Sequence, residues 1–121
     1  ENILYGAGNA TTVDWQTTGE SSVVADAAYF MGGSVEIDDR RAWEKELIEG
    51  YRVCLDKLGV SLSVRDCWDQ YREFAMHGIL ITVLGASFST PDERGDRMFM
   101  TMIQRHLQHC IDVDAVEFLP A

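Results

Sequence analysis

From Phe74 to Pro91 the chain carries no Asp, Glu, Lys or Arg. No other segment limits the fold as much. Its strongly apolar part, Ile79 to Leu84, is too short to cross a bilayer, and His77, Thr82, Ser87, Ser89 and Thr90 interrupt the rest. A helix that is apolar on every side has to be covered on every side. The segment is therefore expected as a buried helix at the centre of a helical fold.

The flanking sequence supplies helices to cover it. Ser21 or Ser22 is placed to cap a short apolar helix over 22–31, with Gly32-Gly33 as its stop. Asp38 or Asp39 opens a long helix with Trp43, Leu47, Tyr51, Cys54, Leu55 and Leu58 as its stripe, and Gly59 ends it. Ser63 opens a third helix, with Cys67, Trp68, Tyr71, Phe74 and Ala75 on one face, running into the charge-free stretch. Thr90-Pro91-Asp92-Glu93 predicts another start, capped by Thr90, for a helix whose stripe runs through Met98, Phe99, Met102, Ile103, His106, Leu107 and Cys110. Asp112 to Leu119 reads as a last short turn. Ahead of the helices, Ile3-Leu4-Tyr5 and Thr12-Val13-Asp14-Trp15 are β-prone runs around Gly6-Ala7-Gly8-Asn9-Ala10, a hairpin signal. The expected fold is mainly α (α+β): an N-terminal hairpin over 1–16, then a bundle of about four to five helices over 20–119, in one domain of 121 residues.

Charge and cysteine usage narrow the function classes. Ten basic against twenty acidic residues leave a net charge of −10, which argues against nucleic acid and anionic membranes as partners. Cys54, Cys67 and Cys110 are odd in number and contain no Cys-x-x-Cys, so free buried thiols in a reducing cytoplasm are expected. His106, His109 and Cys110 have helical spacing, with His106 and Cys110 four apart, but there is no fourth ligand for zinc, and a satisfied surface or core imidazole is the better reading. His77 is expected in the core, bonded to a carbonyl. Asp112-x-Asp114 lacks the other ligands and the glycine of a calcium loop.

Three segments carry a resemblance: Glu1-Asn2-Ile3-Leu4-Tyr5-Gly6, Val13-Asp14-Trp15-Gln16 and Asp26-Ala27-Ala28-Tyr29-Phe30-Met31-Gly32-Gly33. Together they resemble the C-terminal lobe of the aminoglycoside-phosphotransferase-like kinases, the subgroup acting on choline-like and ecdysteroid-type small molecules in particular. Trp68-x-x-Tyr71-Arg72 and Arg94-Gly95-Asp96-Arg97-Met98-Phe99 look like the same subgroup. The resemblance implies that Asn2 and Asp14 are the magnesium ligands of an ATP-dependent phosphotransferase. It makes Asp26 a structural anchor for the catalytic loop. The family's His-x-Asp-x-x-x-x-Asn loop would place its catalytic Asp before residue 1, and the nucleotide-binding lobe would precede that.

The expectation that follows is a catalytically incomplete lobe. Magnesium and ATP belong to the presumed parent, and this chain alone is expected to hold neither. Removing one general acid or base costs about 10² to 10⁴ in rate, so losing base, lysine and cleft together leaves no measurable turnover. Opening on Glu1 rather than Met fits a processed chain or one cut from a longer frame. Glu36, Asp38 and Asp39 are possible ligand-facing acids for a cationic or hydroxyl-bearing small molecule, though favourable charge at a helix N-terminus also accounts for them. The alternative is a free-standing, non-catalytic helical module that binds a small ligand or a protein. With Ile3, Leu4, Trp15, Tyr29 and Phe30 left partly uncovered, a homodimer is expected, its hairpins paired edge to edge.

Overall fold

The computed structural model describes residues 2–15 and 18–120. Glu1 and Gln16, the outer residues of two of the segments quoted above, lie outside them. The order is β1 (Ile3–Tyr5), β2 (Ala10–Thr12), α1 (Ala25–Ser34), α2 (Ile37–Lys57), α3 (Val64–Phe74), α4 (His77–Phe88), α5 (Glu93–Asp112) and a 3₁₀ turn over Ala115–Phe118. The protein is mainly helical with an N-terminal antiparallel hairpin, as the periodicity predicts.

The hairpin pairs Ile3 with Thr12, Leu4 with Thr11 and Tyr5 with Ala10. Gly6 N–H donates to Asn9 O at 2.9 Å, so the turn closes earlier than expected and β2 starts at Ala10. Asp14 is therefore not the end of the strand but lies two residues beyond it. None of residues 2–15 is buried.

Local chemistry sets several helix ends. Ser63 Oγ accepts from Asp66 N–H at 3.0 Å, capping α3 as read. Gly59, at φ 86°, ends α2: its N–H bonds Asp56 O and Val60 N–H bonds Leu55 O, both at 3.0 Å. Those two bonds are the Schellman pattern, which needs the left-handed residue that glycine supplies. Asp92, not Thr90, caps α5, its Oδ1 accepting from Arg94 and Gly95 N–H at 2.9 Å each. Two capping residues stand two apart there, and Asp92 has the amides within reach. Asp38 and Asp39 sit in the first turn of α2 rather than capping it.

The core gathers Val24, Ala28, Met31, Ile48, Cys67, Tyr71, Ala75, Cys110, Val113 and Ala115. The packing departs from the sequence reading in three further ways. Gly32 and Gly33 do not stop α1; both are buried inside it, because a Cβ on Gly32 would stand 2.6 Å from His106 Nδ1 and from His109 Nδ1. The buried face of α2 is Arg40, Glu44, Ile48 and Leu55, one step round from the apolar stripe, and leaves Trp43, Leu47, Cys54 and Leu58 exposed.

The largest departure is α4. It turns its small residues inward, with Gly78 and Thr82 buried and Gly85 facing Phe99, and packs on α5 and α1. Leu80, Ile81, Val83, Leu84 and Phe88 are exposed. The segment expected at the centre is thus covered on one side only. A stripe of small side chains lets the helix approach its neighbours closely, and bulky ones on that face would hold it away.

A paired measurement checks the close approach. A Cβ on Gly78 would lie 2.0 Å from His106 Nδ1 and 2.1 Å from its Cε1. Gly78→Ala is expected to cost about 1–3 kcal/mol or more, as overpacking does. Gly50→Ala, where nothing lies within 4 Å inside α2, is expected to gain about 0.5–1 kcal/mol instead. Equal melting shifts for the two variants would rule out the packing just described.

Candidate functional site

The hairpin brings Asn2 and Asp14 to its open end. Val13 N–H donates to Asn2 O at 2.9 Å, extending the ladder one step past β1 and β2 and setting Asn2 opposite the residue before Asp14. Asp14 then leaves the strand at φ 71°, and both residues are exposed. The left-handed region is uncommon for a residue with a Cβ, and Asp is one of the few that enter it readily. The bend behind it is held by Trp15 Nε1 donating to Thr12 O at 3.0 Å and Thr18 Oγ1 donating to Trp15 O at 2.7 Å.

An amide oxygen and a carboxylate are hard donors of the kind magnesium takes. Magnesium binds through one or two protein groups and completes its shell with phosphate oxygens and water. The donor set at this end of the hairpin fits that pattern. Among the described residues, no group of three His, Cys, Asp or Glu side chains is arranged to hold a metal ion. His106 and Cys110 thus gain no third partner for zinc.

The other acids stand elsewhere. Asp26 is exposed in the first turn of α1. Glu36 is engaged by Arg105, whose other terminal nitrogen donates to Gly33 O at 3.4 Å. Asp38 faces Arg41 at 3.4 Å, and Asp39 is exposed. Among the described residues no hydrogen bond or ion pair joins these four acids to the hairpin.

Below the surface lies a polar cluster that the sequence reading misses. Arg40 is 1% exposed. Its Nη1 pairs with Glu44 Oε2 at 2.8 Å and its Nη2 pairs with Asp112 Oδ2. Tyr71 OH donates to the same Glu44 oxygen at 3.1 Å, and His109 Nε2 stands 3.8 Å from it. Arg41 grips Asp112 through both oxygens, at 2.7 and 2.9 Å, and Gln108 Nε2 adds a bond at 2.8 Å. The Arg41 bonds lead in holding the Asp112 carboxyl well below the usual carboxylate range. Burial, then Glu44, pushes the Tyr71 phenol far up, so it stays a neutral donor. The cluster ties α2, α3 and α5 together. The one available signal was the Arg40–Glu44 spacing of four, which by itself reads as a surface pair.

Beside it, His106 and His109 are fully buried, and none of their ring nitrogens has a hydrogen-bond partner among the described residues. The sequence reading expects satisfied imidazoles here, and no described protein group supplies their partners. His106 stacks on Tyr29 at 5.4 Å, and His109 tilts against Tyr71 at 5.0 Å. Burial is the main cause lowering their pKa values, to about 4 and about 3, so both rings are neutral. His77, expected in the core, is exposed at the start of α4.

Motif residues take structural work too. Arg72 donates to Val113 O at 2.7 Å and pairs with Glu117 at 2.6 Å, anchoring the C-terminal turn. Burial raises the Cys67 and Cys110 thiols, which makes them poor nucleophiles, while Cys54 is exposed rather than buried. No helix among the described residues is long and apolar enough to cross a membrane. No protein-family model, curated protein or solved structure matches the chain.

Proposed function

We propose that the chain is the C-terminal-lobe part of an ATP-dependent small-molecule phosphotransferase, with Asn2 and Asp14 as the residues that hold magnesium against nucleotide phosphates. One observation carries the reading: the Asn and the Asp named by the resemblance come to the same exposed end of the hairpin, with Asp14 turned out of the strand at φ 71°. When bound, the metal supplies charge neutralisation at the transferring phosphate. The chain's own contribution is to hold the backbones of the two residues close together through the ladder and the Trp15–Thr12 bond.

On this reading residues 1–121 are one part of a catalytic unit, and by themselves they are expected to transfer no labelled phosphate from ATP above an Asp14→Ala control. The metal role has its own readout. Manganese added in place of magnesium, with ADP present, is expected to broaden the NMR signals of Asn2, Val13 and Asp14 first, and Asp14→Ala to abolish that broadening. Broadening centred on Glu36, Asp38 and Asp39, or unchanged by Asp14→Ala, would defeat the assignment.

A second reading is a non-catalytic helical module that associates through its apolar surface. It is favoured by the exposure of Leu4, Tyr5 and Trp15 on the hairpin and of a whole face of α4. Hairpin edge pairing is one geometry for a homodimer, since a two-stranded ribbon is marginal in water without cover.

A further inference from the structure

We infer that the outer face of α4 is a self-association surface whose occupant is the same face of a second copy, packed about a two-fold axis near Leu84. Leu80, Ile81, Val83, Leu84 and Phe88 are 55, 38, 51, 43 and 87% exposed. Four of them, at 80, 81, 84 and 88, recur at helical spacing and form one stripe along α4. Taken with ordinary side-chain areas, these exposures amount to roughly 500 Å² of apolar surface per copy, against about 800 Å² per partner in a standard interface. That is smaller than a standard interface and within the range of weak, concentration-dependent association. A patch this large on one helix is at the upper end of what lone monomers show.

Charge selects the occupant. The chain carries −10, so two copies repel each other over most of their surfaces. The stretch from Phe74 to Pro91 holds no charged side chain, and α4 lies within it. This face lets two such chains meet without burying or opposing charges, and it offers no charge to recruit a basic or acidic partner. The arrangement is also self-complementary. With two α4 helices antiparallel, Leu84 meets its own copy while Leu80 of each lies towards Phe88 of the other, an isologous contact that closes at two chains.

The geometry differs from hairpin edge pairing and does not rest on the phosphotransferase reading. Sedimentation equilibrium from low to high micromolar concentration tests it. The chain is expected to dimerise, and Leu84→Glu and Phe88→Glu each to leave a monomer with unchanged helical circular dichroism, since both positions face outward. Leu84→Lys is expected to be monomeric alone and to form a heterodimer when mixed with Leu84→Glu, because the two charges meet at the axis. Leu4→Glu on the hairpin is expected to leave the dimer intact. A monomer at every concentration, a dimer that survives both glutamate variants, or one abolished by Leu4→Glu would each overturn the assignment. Failure of the Leu84→Lys and Leu84→Glu chains to associate would remove the two-fold placement.

Discussion

Arg40→Ala is expected to cost about 3–5 kcal/mol of folding free energy, the usual result of removing one partner from a buried ion pair. A domain of this size is stable by about 5–15 kcal/mol, so the variant stands close to unfolding. The cost falls on Glu44. Asp112 keeps Arg41 and Gln108 after the change, but Glu44, 7% exposed, retains only the Tyr71 hydroxyl and a neutral His109 at 3.8 Å. A buried carboxylate with one neutral donor is left nearly uncompensated. Replacing the pair together should hurt far less than half the pair. Arg40→Met with Glu44→Leu restores an apolar contact, and adding Tyr71→Phe removes the hydroxyl that would otherwise lose its acceptor. Urea unfolding of the single, double and triple variants measures this directly. Arg40→Ala within 1 kcal/mol of the parent chain would show that the buried pair does not hold α2 to α3 and α5 as described.

The same cluster shows what the sequence could and could not reveal. Ser63 and Gly59 were legible because a cap is satisfied by amides within a few residues, so its chemistry is local. The inner face of α2 was not, because apolar periodicity points to Trp43 and Leu47, whereas Arg40 and Glu44 are buried through partners as distant in sequence as Tyr71 and Asp112. The centre of the fold departs from the hydropathy pattern for a related reason. Hydropathy weighs Leu80, Leu84 and Phe88 heavily, but the geometry of contact rewards Gly78, Thr82 and Gly85, whose small size lets α4 lie against α5. Gly32-Gly33, which reads as a helix stop, is instead room made for two imidazoles. For the hairpin, residue types disclosed the candidate site at Asn2 and Asp14, but not the left-handed turn that separates Asp14 from β2.

Acid is expected to weaken the fold well before the ordinary carboxylates titrate, through His106 and His109. Both rings are buried and lack hydrogen-bond partners among the described residues, and burial leads in lowering their pKa values from 6.5 to about 4 and about 3. His77 adds to the effect at His106; Arg40 and His106 add to it at His109, where Asp112 opposes it. Above pH 6.5 neither state binds the protons and stability is flat. Between 6.5 and about 4 the unfolded chain takes them up and the folded chain does not, so stability falls as pH falls. At pH 5 each histidine accounts for roughly 2 kcal/mol of that loss. Below about 3 both states are protonated and this contribution stops changing, while Asp112, whose folded pKa is held low chiefly by Arg41, loses its own stabilisation as it protonates. Urea midpoints between pH 7.5 and 5 read the first stage. His109→Gln, which keeps a similar shape without a titrating ring, is expected to remove about half of the slope. A parent chain equally stable at pH 7.5 and 5, or a slope untouched by His109→Gln, would mean that the imidazoles are not sealed between Gly32, Gly78 and the tyrosines as the fold places them.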